Sequence, residues 1–159
     1  MIYNPESERT NGLHLGVAAF DFAGLYPSMI IARNISWETR SEEPTELVAN
    51  LKTPKDFSQL KDEDLRYFRT DVLGVLPKAL INLKGLRNEY KKKMKESNDK
   101  SEYSKWNNNQ LAVKRLMASF YGIIAFQGFS WADVDLAACI TASAREAIRE
   151  AASIVRDIE

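Results

Sequence analysis

The first strongly apolar stretch is Leu15 to Phe22, LGVAAFDF, bounded by Gly16 and Gly24. A run this short predicts a buried strand ending near Asp21, and alternation along a strand puts Val17, Ala19 and Asp21 on one face. Pro27, within LYPSMIIARN, stands where a helix can start, so strand, tight turn and short helix follow in order. Trp37 to Gly74 is rich in charge and broken by Pro44 and Pro54, which predicts an insertion of short elements. Pro77 then opens a helical pattern, with Leu80, Ile81, Leu83, Leu86, Tyr90 and Met94 at three- and four-residue steps. That helix runs for about 20 residues, or about 30 Å. SNDKS at Ser97 to Ser101 is a turn signal, and a second helical pattern extends from about Ser104 to Tyr121, with Gly122 as its stop. The pair predicts a long antiparallel helical hairpin. After the apolar, aromatic Ile123 to Trp131, a last helix is expected over Asp133 to Ile158. Its buried side carries Leu136, Ile140, Ala144, Ala147, Ile148, Ala151, Ile154 and Val155. There is no internal repeat and no low-complexity tract.

Composition places this pattern in one soluble α+β unit, mostly helical by residue count: 159 residues, 45% apolar and 28% charged. No apolar run approaches the roughly 18 residues that span a bilayer, and Met1 to Gly12 is polar, so an intracellular protein without membrane contact is expected. The single Cys139, between Ala138 and Ile140, predicts a buried free thiol. With His14 the only histidine, a structural zinc site is excluded.

Charge alters the picture more. The net charge is zero, yet Pro77 to Lys95 holds seven basic residues (Lys78, Lys84, Arg87, Lys91, Lys92, Lys93, Lys95) against one acid, Glu89. A basic segment in a neutral chain suits a local anion site. Arg87, Lys91 and Lys95 at i, i+4 and i+8, with Lys84 a turn earlier, make one stripe; Gln110, Lys114, Ala118 and Tyr121 make another on the second helix. If the hairpin turns both to one side, Arg87, Lys91 and Lys114 converge on a place for a polyphosphate; otherwise they form a solvated face. Asp21 is likewise open: a carboxylate at a strand end can hold a hard divalent cation, or cap the following helix. Tyr121 and Gly122 can be a core aromatic and a helix stop, and Tyr26 can simply pack beside Pro27.

Taken together and in order, these segments resemble the family B DNA polymerases. GLH at Gly12 to His14 with VAAFDFAGLYPSMI is similar to motif A and its lead-in, usually DFxSLYPSII. GVLPKALINLKGLRNEYKKKMK at Gly74 to Lys95 resembles the first fingers helix. NQLAVKRLMASFYG at Asn109 to Gly122 resembles motif B, usually KxxxNSxYG, and DLAACITASAREAI at Asp135 to Ile148 the palm helix that follows. The likeness spans nearly the whole chain except Glu38 to Tyr67.

The resemblance implies a partial palm with a helical-hairpin fingers subdomain: residues 1–36 palm with motif A, 37–75 an insertion joining palm and fingers, 76–122 the fingers hairpin, and 123–159 a return to the palm. Asp21 would be one of two aspartates binding the catalytic Mg²⁺ ions, with the Phe22 carbonyl completing the nucleotide-side site. The amides of Gly24 and Leu25 would cradle the triphosphate, as a helix N-terminus does. Tyr26 would lie under the sugar and exclude a 2′-hydroxyl. Arg87, Lys91 and Lys114 would grip the phosphates, Lys114 together with Asp21 serving catalysis, Tyr121 would pack by the nascent base pair, Gln110 would lie on the same face, and Gly122 would belong to the substrate site. The implied reaction joins a dNTP to a primer 3′-hydroxyl on template DNA, with fingers closing over the correct nucleotide.

Three departures qualify the likeness. Gly24 stands where Ser is usual, which spares a backbone contact, and Ala118 stands where Asn is usual, which removes a polar group beside the pocket. The second metal-binding aspartate, on a hairpin reading roughly YGDTDS, is expected after the last helix. Asp133 and Asp135 in WADVDL have its spacing, but acids in a first helical turn follow from the helix dipole. The expectation is therefore a polymerase segment, inactive without a companion region carrying motif C and the thumb; the alternative is a non-catalytic remnant that binds DNA or nucleotide.

Overall fold

A computed structural model of the chain describes residues 21–51 and 62–156. The expected strand lies outside the described residues except for Asp21 and Phe22, which run without regular structure into a turn at Ala23 and Gly24. Helix α1 (Leu25–Ala32) follows. Gly24 enters it with φ 78° and ψ 61°, the left-handed region that costs other L-residues about 1–2 kcal/mol. A single turn of 3₁₀ helix at Trp37–Thr39 leads to β1 (Arg40–Ser41), β2 (Leu47–Asn50), β3 (Leu65–Phe68), α2 (Val75–Glu96), α3 (Lys100–Ala125) and α4 (Val134–Arg156). The fold is α+β, mostly helical with one small sheet.

The charge-rich stretch expected as short elements forms that sheet. Its order is β1-β3-β2, antiparallel throughout, with Phe68 of the central strand opposite both Arg40 and Leu47. Phe68 is fully buried and joins Ile30 and Ile35 near α1, Leu76 and Leu80 from α2, Ile124 from α3, and Leu136 and Ile140 from α4 in one core. Each such side chain removed from water stabilises the fold by about 1.5–3 kcal/mol.

The helical hairpin stands on this core and is anchored by side chains far away in sequence. Asn34, at φ 51°, donates from Nδ2 to the carbonyls of Arg69 and Val72 (both 2.7 Å) and accepts from the Gly74 amide at 2.8 Å. The Glu38 carboxylate accepts from the Val75 amide, and the Ser36 hydroxyl from that of Leu76 at 3.3 Å. Three orphan donors at the start of α2 are thus satisfied. Gly74 has to be glycine for this approach, since a Cβ there would stand 2.6 Å from that of Ser36. At the far end Asp99 caps α3, its Oδ2 accepting from the amides of Ser101 and Glu102 at 3.1 Å. The cap explains why α3 begins at Lys100, ahead of the Ser104 expected from periodicity. Arg87 opposite Gln110, and Tyr90 stacked on Trp106 at 5.6 Å, confirm the antiparallel hairpin.

Two sequence expectations need correction. Gly122 does not stop α3: the helix continues to Ala125, with the Phe126 amide bonded to the Gly122 carbonyl at 3.0 Å. The glycine costs about 1 kcal/mol against alanine, and burying Ile124 two residues on offsets it. The buried side of α4 is also shorter than its pattern. Leu136, Ile140 and Ala144 are buried, but Ile148, Ile154 and Val155 are exposed, because the neighbours α1, α3 and β2 cover only the first half of the helix. Cys139 is a buried free thiol, as expected. No helix among the described residues is long and apolar enough to cross a membrane.

Candidate functional site

A cleft of about 500 Å³ opens between the entry to α1 and the inner faces of α2 and α3. Asp21, Phe22, Gly24 and Ser28 form one wall; Lys84, Arg87, Asn88 and Lys91 form the wall on α2; Lys114 and Ala118 complete it from α3. Met117, which also packs on the core, lies along its floor. The hairpin therefore does turn Lys84, Arg87 and Lys91 of the first stripe and Lys114 and Ala118 of the second to one side, and Arg87, Lys91 and Lys114 converge.

Most of the charges here are uncommitted. Asp21 is exposed and makes no hydrogen bond or ion pair among the described residues, nor does it cap α1, whose N-cap is Gly24 with no side-chain cap at all. Of the two possible roles for Asp21, the capping one is removed. Across from it, Lys84, Lys91 and Lys114 have no acidic partner among the described residues. Four cations face one carboxylate, an arrangement that attracts an anion of several charges. The start of α1 adds to it. The Ser28 amide already bonds the Gly24 carbonyl at 2.9 Å and Pro27 has no amide hydrogen, so among the described residues the Gly24, Leu25 and Tyr26 amides have no partner.

Other predicted residues lie beside the cleft. Gln110 is buried and does not line it: its Oε1 accepts from Arg87 Nε at 3.3 Å, while its Nε2 donates to Asn107 Oδ1 at 3.0 Å. It orients the guanidinium from behind. Tyr121 packs partly on the core, and its ring meets Tyr26 at 4.7 Å and 41°. Leu25 does not line the cleft, and Gly122 is exposed with open space where a Cβ would be. Sequence reasoning missed Asn88 and Ser28 as lining residues. Asn88 follows Lys84 by four residues and was legible as part of the same stripe; Ser28 gave no signal.

Asp133 and Asp135 serve another purpose. Asp133 Oδ1 caps α4 through the Leu136 amide at 2.9 Å and meets Arg40 at 2.7 Å, and Asp135 pairs with Arg66 at 3.1 Å. Among the described residues no group of three or more His, Cys, Asp or Glu is arranged to hold a metal ion. Asp21 alone suits the mode in which Mg²⁺ is held by one carboxylate, water and substrate phosphates. A pair of ions needs a further carboxylate.

Residues 9–159 match the sequence profile of DNA polymerase family B. The chain is 33% identical over 141 residues to DNA polymerase 1 of Pyrococcus abyssi, covering 89% of this chain and 17% of that protein. It is 28% identical over 142 residues to the DNA polymerase delta catalytic subunit of Oryza sativa subsp. japonica, covering 89% of this chain and 13% of that one. The family B DNA polymerase from the hyperthermophilic archaeon Pyrobaculum calidifontis superposes with a TM-score of 0.68 at 25% identity, over 86% of this chain and 17% of that chain. The chain thus spans about a sixth of the length of the archaeal relatives it matches.

Proposed function

Because the chain belongs to DNA polymerase family B, we propose that its cleft holds the triphosphate of an incoming dNTP during template-directed DNA synthesis. One observation carries this: an uncommitted carboxylate and an uncapped helix start face four cations across a single cleft. Arg87 would take phosphate oxygens bidentately, Lys91 and Lys114 as point charges, and the Gly24 and Leu25 amides from the other side. Asp21 and the Phe22 carbonyl would hold Mg²⁺ together with phosphate oxygens. When bound, the ion neutralises charge on the phosphates. Tyr26, fixed by Tyr121, would lie under the sugar and refuse a 2′-hydroxyl.

In the reaction a primer 3′-oxygen forms a bond to the α-phosphorus, the bridging bond to the β-phosphate breaks, and the hydroxyl proton goes to solvent. The chain's share is to hold the phosphates in line and stabilise the departing pyrophosphate. Residues 76–122 would act as fingers closing on residues 1–36 and 123–159 of the palm, joined through 37–75. Since the described residues bring one carboxylate to the cleft, synthesis would need a second from elsewhere, together with a thumb to hold primer and template. The single carboxylate also supports a second reading, a non-catalytic module that binds nucleotide or DNA. Salt-dependent DNA binding with no synthesis after assembly would favour it.

Titration with a fluorescent deoxynucleoside triphosphate tests the site. Lys114→Ala should weaken binding by about tenfold to hundredfold, the value of one charged hydrogen bond. The matching nucleoside, without phosphates, should not compete. Equal affinity in wild type and Lys114→Ala would contradict the proposal.

A further inference from the structure

The basic stripe of α2 does not end at the cleft. A second, shallower hollow of about 380 Å³ lies on the outer turns of the helix, lined by Asn88, Lys91, Lys92, Lys95 and Glu96. Asn88 and Lys91 line both hollows, so the two share a wall. Lys91 and Lys95 have no acidic partner among the described residues, and Lys92 meets Glu96 only at 3.9 Å, both side chains largely in water. Such a loose exposed pair holds its lysine weakly and leaves its charge free for a stronger anion.

We infer that the hollow formed by Asn88, Lys91, Lys92 and Lys95 is a second oligophosphate site, which receives inorganic pyrophosphate as it leaves the cleft. The identity of the anion rests on the nucleotidyl-transfer function proposed above; the site itself rests on the hollow and its cations. Its length selects a short ligand. Asn88 to Lys95 covers about 10 Å of helix axis, enough for two linked phosphates, and Glu96 closes the far end with a repelling charge. Lys91, common to both hollows, can stay in contact with the anion as it moves, so departure proceeds from one set of cations to the next.

The test follows lysine side-chain NMR signals of the full 159-residue chain during titration with sodium pyrophosphate, with ionic strength held constant. The Lys92 and Lys95 signals should shift saturably. In Lys114→Ala, which weakens the cleft, their midpoint should stay within about twofold, and in Lys95→Gln the Lys92 midpoint should rise at least about threefold, because exposed phosphate contacts weaken with each charge lost. Shifts no larger than those from sodium chloride, or shifts lost in Lys114→Ala, would overturn the inference. Silent Lys114 signals with saturating Lys92 and Lys95 would instead overturn the cleft's role and leave this site standing.

Discussion

The starts of α1 and α2 are built alike and finished in opposite ways. At α2 the Asn34, Ser36 and Glu38 side chains occupy three amides, while Arg40 and Arg66 take up Asp133 and Asp135 nearby. Glu38 shows how complete that is: burial works to raise its pKa, yet hydrogen bonds from the Val75 amide, its own amide and the Ser36 hydroxyl hold it below the usual carboxylate value. At α1 no side chain caps the helix, and Asp21, Lys84, Lys91 and Lys114 stand without partners among the described residues, with only Arg87 held, by Gln110. The same residue types therefore do two jobs. Satisfied polar groups fix the architecture; unsatisfied ones, gathered in a cleft, are available to a ligand.

The widest separation between the regions should come from Asn34→Ala. It removes three hydrogen bonds at a buried position and should cost about 3 kcal/mol or more by denaturant unfolding, while triphosphate affinity per folded molecule stays at wild type. A loss of affinity at full folding would show that the two regions are not separable. Alkaline titration probes the core between them. Burial, helped by the nearby Asp135 charge, pushes the Cys139 thiol from 9.0 to about 12. The unfolded thiol ionises first, so its contribution is complete below pH 9 and declines from there to about 12. Cys139→Ser should flatten the fall in stability across that window; an unchanged slope would assign the fall to other groups.

How much of this was legible beforehand follows the same division. The hairpin and the convergence of Arg87, Lys91 and Lys114 came from helical spacing, which is local and periodic. The sheet did not, because strands as short as Arg40–Ser41 carry no period and exist only through pairing with Leu65–Phe68. The long-range caps from Asn34 and Glu38 were also invisible, since their partners lie 37 to 40 positions away. Gln110 was expected on the substrate face, but it is buried behind Arg87, and that bond depends on how the helices meet. Ile154 and Val155 misled because periodicity reports which side could be buried, not whether anything covers it.

Smaller effects sharpen the contrast. Gly24→Ala should cost about 1–2 kcal/mol through its left-handed backbone and weaken triphosphate binding together with stability. Arg40→Gln should cost at most about 1 kcal/mol, less at high salt, as exposed ion pairs do. Lys91→Gln should have the opposite sign, leaving stability unchanged or raised by a few tenths of a kcal/mol, since it relieves repulsion among cleft cations. A destabilisation comparable to Asn34→Ala would mean that Lys91 has a structural partner after all.

The most direct test is primer extension by the chain assembled with a polypeptide carrying the second aspartate and thumb of a family B polymerase, comparing Asp21→Asn with Asp133→Asn. Asp21→Asn should lower the rate at least about a thousandfold with folding intact, on the scale of losing a group that acts on transition-state charge. Asp133→Asn should lower stability and leave the rate per folded molecule near wild type. Wild-type extension by Asp21→Asn would contradict the account.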